Sequence, residues 1–162
     1  KKLVENVSVK SKFGGGVLLE LSHEIDLSLF LFGKPRSVFC KNKKTKYKNF
    51  DVEDNSNIFL EYKNYIATVC LDMFNPVKKR DLFLTFEKAY ISVDLIKNQM
   101  IINKKNKIIK NKIKSGEYNE MIKGLFLKKK PNNFGNYKTS VYVNKIIEAA
   151  KRSSKLSKKI IL

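Results

Sequence analysis

The one histidine of the chain, His23, lies among carboxylates in a segment with helical spacing. Glu20 comes three residues before it and Asp26 three residues after it, so a continuous helix would place the three side chains on one face. A carboxylate beside an imidazole fixes the tautomer of the ring and stabilises its protonated form, as proton exchange with an alcohol or a ketone requires. Taken alone, the pattern favours a structural histidine, and acid–base catalysis is the alternative.

Three glycines, Gly14 to Gly16, come directly before this segment. Unpaired N–H groups at a helix start attract anions, so a glycine-rich turn there can bind phosphate. This run lacks GxGxxG spacing, no six-residue apolar strand precedes it, and no P-loop Lys-Ser/Thr follows it. We therefore predict a tight turn that lets a helix begin against another backbone, and no dinucleotide or nucleoside-triphosphate site.

The two cysteines, Cys40 and Cys70, form neither a CxxC motif nor a Cys/His cluster with metal-ligand spacing. No second histidine or cysteine lies at helical spacing from His23, so we predict no metal site. Two cysteines are too few for a disulfide framework. We expect two buried thiols that pack as small hydrophobes in a reducing compartment.

The segment that carries His23 is predicted to be a helix from Val17 to Phe32. Its apolar residues recur at spacings of three and four, as one helix face requires; they are Leu18, Leu21, Ile25, Leu29 and Phe32. Gly33 and Pro35 are typical of a helix end.

Short apolar runs separated by turn residues follow this helix. We predict strands at Ser37–Cys40, Asn57–Tyr62, Ile66–Met73, Arg80–Phe86, Ile91–Asp94 and Ile108–Ile109, helices at 118–126 and 141–150, and a last strand at 159–162. Lys104–Lys114 reads as an edge hairpin with solvated lysines. The order of elements predicts an α+β fold, a mostly antiparallel mixed sheet of about six strands with helices on one face. We expect residues 1–162 to form a single domain.

A net charge of +19 raises nucleic acid or an anionic membrane as a partner. The only arginines are Arg36, Arg80 and Arg152, and surfaces that read bases usually need the guanidinium fork. Lysine is abundant here together with Asn, Ile, Phe and Tyr, whose codons are rich in A and T. Much of the positive charge can therefore reflect the base composition of the gene. We therefore expect nucleic acid not to be the partner.

The alternative is a basic nucleic-acid-binding module. It would use the lysines of Lys41–Lys48 and Lys104–Lys114, with Tyr47 and Phe50 as stacking residues.

No run of 18 apolar residues occurs, so we predict no membrane span. The first residues, 1–12, lack the apolar core of a signal peptide, and we expect a cytoplasmic protein.

Three segments of the chain resemble one known family. FGGGVLLELSHEIDLSLFLFG, at Phe13–Gly33, is similar to the signature of the C-terminal domain of the Gfo/Idh/MocA family of NAD(P)-dependent sugar and inositol oxidoreductases. Val69–Leu95 resembles the family's paired strands around a basic, proline-containing turn, and Tyr142–Leu162 its closing helix and strand. Phe86 and Ala89 stand where glycines are usual in the family.

In that family an N-terminal Rossmann domain binds the nicotinamide cofactor and contributes a catalytic lysine. Neither the dinucleotide fingerprint nor that lysine motif occurs here. The resemblance implies that this chain is the substrate-binding C-terminal domain of a longer dehydrogenase. It further implies that NAD or NADP is bound mainly by the missing domain, that this chain supplies no cofactor-binding residue, and that it is inactive alone.

The resemblance places the family's catalytic histidine at His23. Many members carry an Asp four residues before the histidine, where this chain has Leu19. The nearest acid is Glu20, which the resemblance makes the partner that orients His23. We expect Asp26 to have a structural role.

The resemblance also places a sugar, a sugar derivative or inositol at the glycine turn. We expect Gly15, Gly16 and Glu24 to contact this substrate. A sheet with helices on one face leaves the other face open, so we predict a homo-oligomer that forms through that face. A non-catalytic assembly domain is the remaining alternative.

Overall fold

The structure is a computed structural model that describes residues 7–45, 50–105, 107–112 and 137–162. The chain divides into two compact units, one made of Lys1–Phe74 and Gly135–Leu162 and the other of Asn75–Phe134. The helix predicted at 118–126 lies outside the described residues. The described α-helices are α1 (Val17–Glu20), α2 (Ser22–Phe32) and α3 (Tyr137–Leu156). The described strands are β1 (Ser37–Lys43), β2 (Asn55–Glu61), β3 (Ile66–Asp72), β4 (Asp81–Thr85), β5 (Ala89–Asp94), β6 (Gln99–Lys104), β7 (Lys107–Lys112) and β8 (Ile160–Ile161).

The segment predicted as one helix from Val17 to Phe32 is interrupted at Leu21. There the backbone leaves helical geometry, with φ −107° and ψ 26°. The Glu24 N–H donates to the Leu21 carbonyl at 3.1 Å, so a new helix begins at this point. The prediction of one continuous helix was therefore wrong at a single residue, and the end at Gly33 was right.

The first unit contains a four-stranded antiparallel sheet in the order β3-β2-β1-β8. Its side chains alternate between two faces, as the pleat of a strand requires. Helices α1, α2 and α3 cover one face. The core between them contains Leu18, Ile25, Val38, Cys40, Ile58, Leu60, Ile146, Ile147 and Ala150.

The second unit contains another four-stranded antiparallel sheet, in the order β4-β5-β6-β7. Strand β6 was missed in the sequence, because its apolar core is only Met100–Ile102 and polar residues flank it on both sides. The hairpin predicted within Lys104–Lys114 was right only in part: this segment supplies one lysine-rich edge strand, β7, and its partner is the earlier strand β6, with pairing from Lys104 and Lys107 outward.

The α+β class and the mostly antiparallel pairing are confirmed, and the described strands form two sheets of four. Cys40 is buried as expected, and burial raises the pKa of its thiol. The expectation for Cys70 was wrong. It is exposed because it alternates onto the face of β3 that the helices leave open.

Candidate functional site

The glycine turn places the start of α1 against the backbone of a distant segment. The Val17 N–H donates to the Glu53 carbonyl at 3.0 Å, and the Glu53 side chain reaches the Leu18 N–H at 3.4 Å. Gly16 has φ +118°, and a Cβ atom there would lie 2.6 Å from Glu53 Oε1. The turn therefore fixes where the helix begins, as the sequence predicted. No local signal in the sequence indicates the role of Glu53.

The backbone N–H groups of the turn are already bonded within the chain. The Gly15 N–H donates to the Lys10 carbonyl at 3.1 Å, and the Gly16 N–H donates to the Ser8 carbonyl at 3.0 Å. Gly16 is buried and Gly15 is half-buried. These two glycines therefore offer no free N–H donor to a phosphate or to a substrate hydroxyl.

His23 is the second residue of α2, and its side chain is 52% exposed. Ile25 and Leu29 of the same helix are buried in the core. Since successive helical residues are about 100° apart, His23 lies roughly opposite Ile25 and faces away from the core. A side chain in this position can contact a molecule outside the domain.

The carboxylate nearest to His23 belongs to Glu24. His23 Nε2 lies 3.2 Å from Glu24 Oε1, close enough for an ion pair when the ring is protonated. Glu20 is the last residue of α1 and is exposed, and no ion pair or hydrogen bond joins it to His23 among the described residues. The interruption at Leu21 removes the continuous helix on which the predicted Glu20–His23 spacing depended. Asp26 is exposed on α2.

The end of α2 is held by two tyrosines from the connection between β2 and β3, Tyr62 and Tyr65. The Tyr62 hydroxyl donates to the Gly33 carbonyl at 3.3 Å, and Tyr65 donates to the Phe32 carbonyl at 3.4 Å. Burial raises the pKa of Tyr62 to about 12, so the hydroxyl remains a donor at neutral pH. These contacts hold the C-terminal end of the helix that carries His23.

Metal binding and base stacking on nucleic acid were also considered from the sequence. In the part of the chain that is described, no group of three His, Cys, Asp or Glu side chains could hold a metal ion. Phe50, offered as a base-stacking residue, is buried and stacks on Phe74 with ring centroids 5.2 Å apart. Phe50 is therefore unavailable to a nucleic acid, and Tyr47 lies outside the described residues.

The fold and this helix define a class of protein: an α+β domain that presents a histidine from the start of a helix packed on an antiparallel sheet. The model of the GFO/IDH/MocA C-terminal domain matches residues 5–92, more than half of the chain. The chain belongs to this family. A comparison with curated protein sequences gave no significant match.

Solved structures of oxidoreductases share the fold. An inositol dehydrogenase homolog from Azotobacter vinelandii, complexed with NADH and myo-inositol, has a TM-score of 0.71 at 12% identity, covering 90% of this chain and 50% of that one. The WlbA dehydrogenase from Bordetella pertussis, in complex with NADH and UDP-GlcNAcA, gives 0.68 at 18% identity, with 95% and 47% covered. A candidate NADPH-dependent oxidoreductase from Desulfitobacterium hafniense gives 0.79 at 17% identity, with 97% and 51% covered.

This chain thus spans about half the length of the structures it matches. In the described residues no helix is long and apolar enough to cross a membrane.

Proposed function

We propose that this chain is the substrate-binding, histidine-carrying domain of an NAD(P)-dependent oxidoreductase that acts on a hydroxyl of a sugar, a sugar derivative or inositol. The observation that carries the proposal is the half-exposed His23 at the start of α2, with a carboxylate oxygen 3.2 Å from its ring. Support for the substrate class comes from two neighbours of the same fold, which were solved with NADH and either myo-inositol or UDP-GlcNAcA.

In this proposal His23 takes the proton of the substrate hydroxyl when the alcohol is oxidised and returns it when the ketone is reduced. A nicotinamide cofactor supplies the hydride acceptor or donor. The glycine turn gives no cradle for it, because the N–H groups of Gly15 and Gly16 are bonded to the chain itself. Cofactor binding by another domain, and inactivity of this chain alone, are therefore parts of the proposal.

The contact seen in the structure favours Glu24 as the residue that positions His23. Its carboxylate stabilises the imidazolium that forms when the ring accepts the substrate proton. Glu20 was predicted for this role, and it serves as the matched comparison because it is an exposed carboxylate that does not touch the ring. Glu24 was predicted to bind substrate, and that role remains a prediction.

We further propose that the chain forms a homo-oligomer. In the first sheet, the face that the helices leave open carries Phe59 and Ile66, both exposed, beside the half-buried Phe39. Apolar side chains grouped on an open sheet face are typical of protein interfaces.

The cytoplasmic location remains a prediction of the sequence.

The test of the histidine is a set of three substitutions in the active enzyme that contains this chain. His23→Asn should lower kcat by about 10²–10⁴, the usual cost of losing a general acid or base. It should change the free energy of unfolding by less than about 1 kcal/mol, because the side chain is half-exposed.

Glu24→Gln should lower kcat less than His23→Asn and shift the pH profile, and Glu20→Gln should leave both unchanged. If His23→Asn unfolds the enzyme while turnover per folded molecule is kept, the proposed mechanism is wrong. If Glu20→Gln gives the effect expected of Glu24→Gln, the assignment of the positioning residue is wrong and the histidine's role stands.

A further inference from the structure

The exposed side of helix α2 carries two large apolar residues in line with His23. Residues seven apart in a helix lie about 20° apart around the axis and about 10.5 Å apart along it. Phe30 therefore lies almost directly along the helix from His23. Leu27 lies between them, about 6 Å from His23 along the axis. We call these three residues the His23 stripe.

Phe30 is open to solvent, although it is the largest apolar side chain of the His23 stripe. It is 60% exposed. Phe32, two residues further on, packs edge-on against the rings of Tyr62 and Tyr65. In the described part of the chain, Phe30 contacts no other aromatic ring. Under the proposed function His23 faces the substrate, so the part of the substrate beyond the reacting hydroxyl meets the surface that continues from His23.

The charge of α1 and α2 differs from that of the rest of the chain. The whole chain has 34 Lys and Arg against 15 Asp and Glu, but residues 17–32 contain no Lys or Arg and three acids, Glu20, Glu24 and Asp26. Glu24 and Asp26 lie on opposite sides of the stripe, about 100° and about 60° around the axis from His23. A phosphate or a carboxylate of a substrate would meet like charge here and no cation from these helices. The stripe therefore suits an uncharged molecule.

We infer that the substrate is a neutral glycoside, which places a sugar hydroxyl on His23 and an apolar aglycone on Phe30. The sugar ring lies over Leu27, about one helical turn from His23, and the group on its far side reaches the next turn, where Phe30 lies. An aryl group there stacks on the exposed ring of Phe30. Phe30 is then a residue that determines specificity and takes no part in the chemistry at the hydroxyl.

This inference rests on the proposed function and narrows it, because it selects glycosides with an apolar aglycone among sugars, sugar derivatives and inositol. A hydrophobic contact to a substrate typically changes kcat/KM by about 10–200-fold. Phe30 covers only one side of the aglycone, so we expect a preference at the lower end of that range.

The test uses phenyl and methyl β-glycosides of glucose, galactose and N-acetylglucosamine as substrates of the active enzyme that contains this chain. For the sugar that is accepted, the phenyl glycoside should have a kcat/KM about tenfold above that of the methyl glycoside. Phe30→Ala should remove this preference and leave the methyl glycoside unchanged. Leu31→Ala is the matched control and should change neither, since Leu31 is 39% exposed on the same helix but lies about 80° around the axis from His23.

A charged aglycone tests whether the stripe requires a neutral substrate. Asp26 and Phe30 are four residues apart and therefore neighbours on the helix surface. The 4-carboxyphenyl glycoside should have a kcat/KM about threefold below that of the phenyl glycoside, because its carboxylate lies near Asp26. Asp26→Asn should reduce this difference and leave the preference for phenyl over methyl unchanged. A carboxyphenyl glycoside that is preferred to the phenyl glycoside overturns the inference of a neutral substrate.

Three further results would overturn the role of Phe30 and leave the proposed function standing. The first is an equal loss on phenyl and methyl glycosides after Phe30→Ala, or an equal effect of Leu31→Ala. The second is turnover of myo-inositol but of none of the glycosides. The third is a lower melting temperature of Phe30→Ala with an unchanged preference, which would show that another domain of the enzyme covers this side chain. If His23→Asn leaves turnover of the methyl glycoside unchanged, the proposed function itself is wrong.

Discussion

The two sheets of this molecule have the same strand number and antiparallel pairing, but they differ in how deeply they bury their apolar faces. In the first sheet Val38, Ile58 and Leu60 have no solvent exposure, because three helices lie on them. In the second sheet Val93 is the one buried residue among the described strands, and its neighbours Ile91 and Ile102 are half-buried. The comparison shows that strand pattern alone does not set burial, since in the first sheet the helices that pack on it exclude solvent.

The largest expected effect tests this difference directly. Ile58→Ala, in the inner strand β2, should lower the free energy of unfolding by about 2–5 kcal/mol, because it leaves a cavity in a closed core. Ile102→Ala, in the inner strand β6, should cost roughly half as much, since its side chain is already partly in solvent. Denaturant titration of both variants checks the comparison. Equal losses would mean that the two sheets are equally covered in solution.

The glycine turn allows a second comparison within the first unit. Gly14 and Gly16 both have positive φ, so an alanine at either position is strained by about 1–2 kcal/mol. An alanine at Gly16 would in addition lie 2.6 Å from Glu53 Oε1, whereas at Gly14 the nearest atom is Leu19 Cδ1 at 4.0 Å. Gly16→Ala should therefore lower the melting temperature more than Gly14→Ala does.

Adding Glu53→Ala to Gly16→Ala should recover part of that difference, because it removes the atoms that the new methyl group meets. Melting curves of the two single variants and the double variant measure it. Equal effects of Gly14→Ala and Gly16→Ala would show that Glu53 moves away freely and does not fix the helix start.

The smallest expected effect concerns Glu61, the last residue of strand β2 in the first sheet. Glu61 accepts from Lys159 Nζ at 2.8 Å and from the Ser37 hydroxyl, and these bonds hold the pKa of the Glu61 carboxyl below its ordinary value. The contribution to stability is therefore complete above the ordinary pKa of a glutamate and is lost as the pH falls through the lowered value. Glu61→Gln should reduce the melting temperature slightly at neutral pH and leave it unchanged in strong acid. A difference that persists in acid would mean that charge has no part in it.

Much of the local structure could be predicted because it depends on residues close in sequence. The helix end at Gly33 and the strands of the first sheet follow from apolar spacing and turn residues. The break at Leu21 could not be predicted, since Leu favours helix and no glycine or proline marks the position. Its consequence reaches the candidate site, because the Glu20–His23 spacing assumed one continuous helix.

By itself, the sequence determined the α+β class and the family resemblance, and that resemblance made His23 the candidate for acid–base chemistry. Tertiary structure decided which acid contacts that histidine, which face of each sheet is open, and that Glu53 closes the glycine turn. The physical reason is the sequence separation over which each interaction acts. Apolar spacing and turn residues act over a few residues, whereas the hydrogen bond from Val17 to Glu53 and the packing of α3 on β1 join segments far apart in the chain.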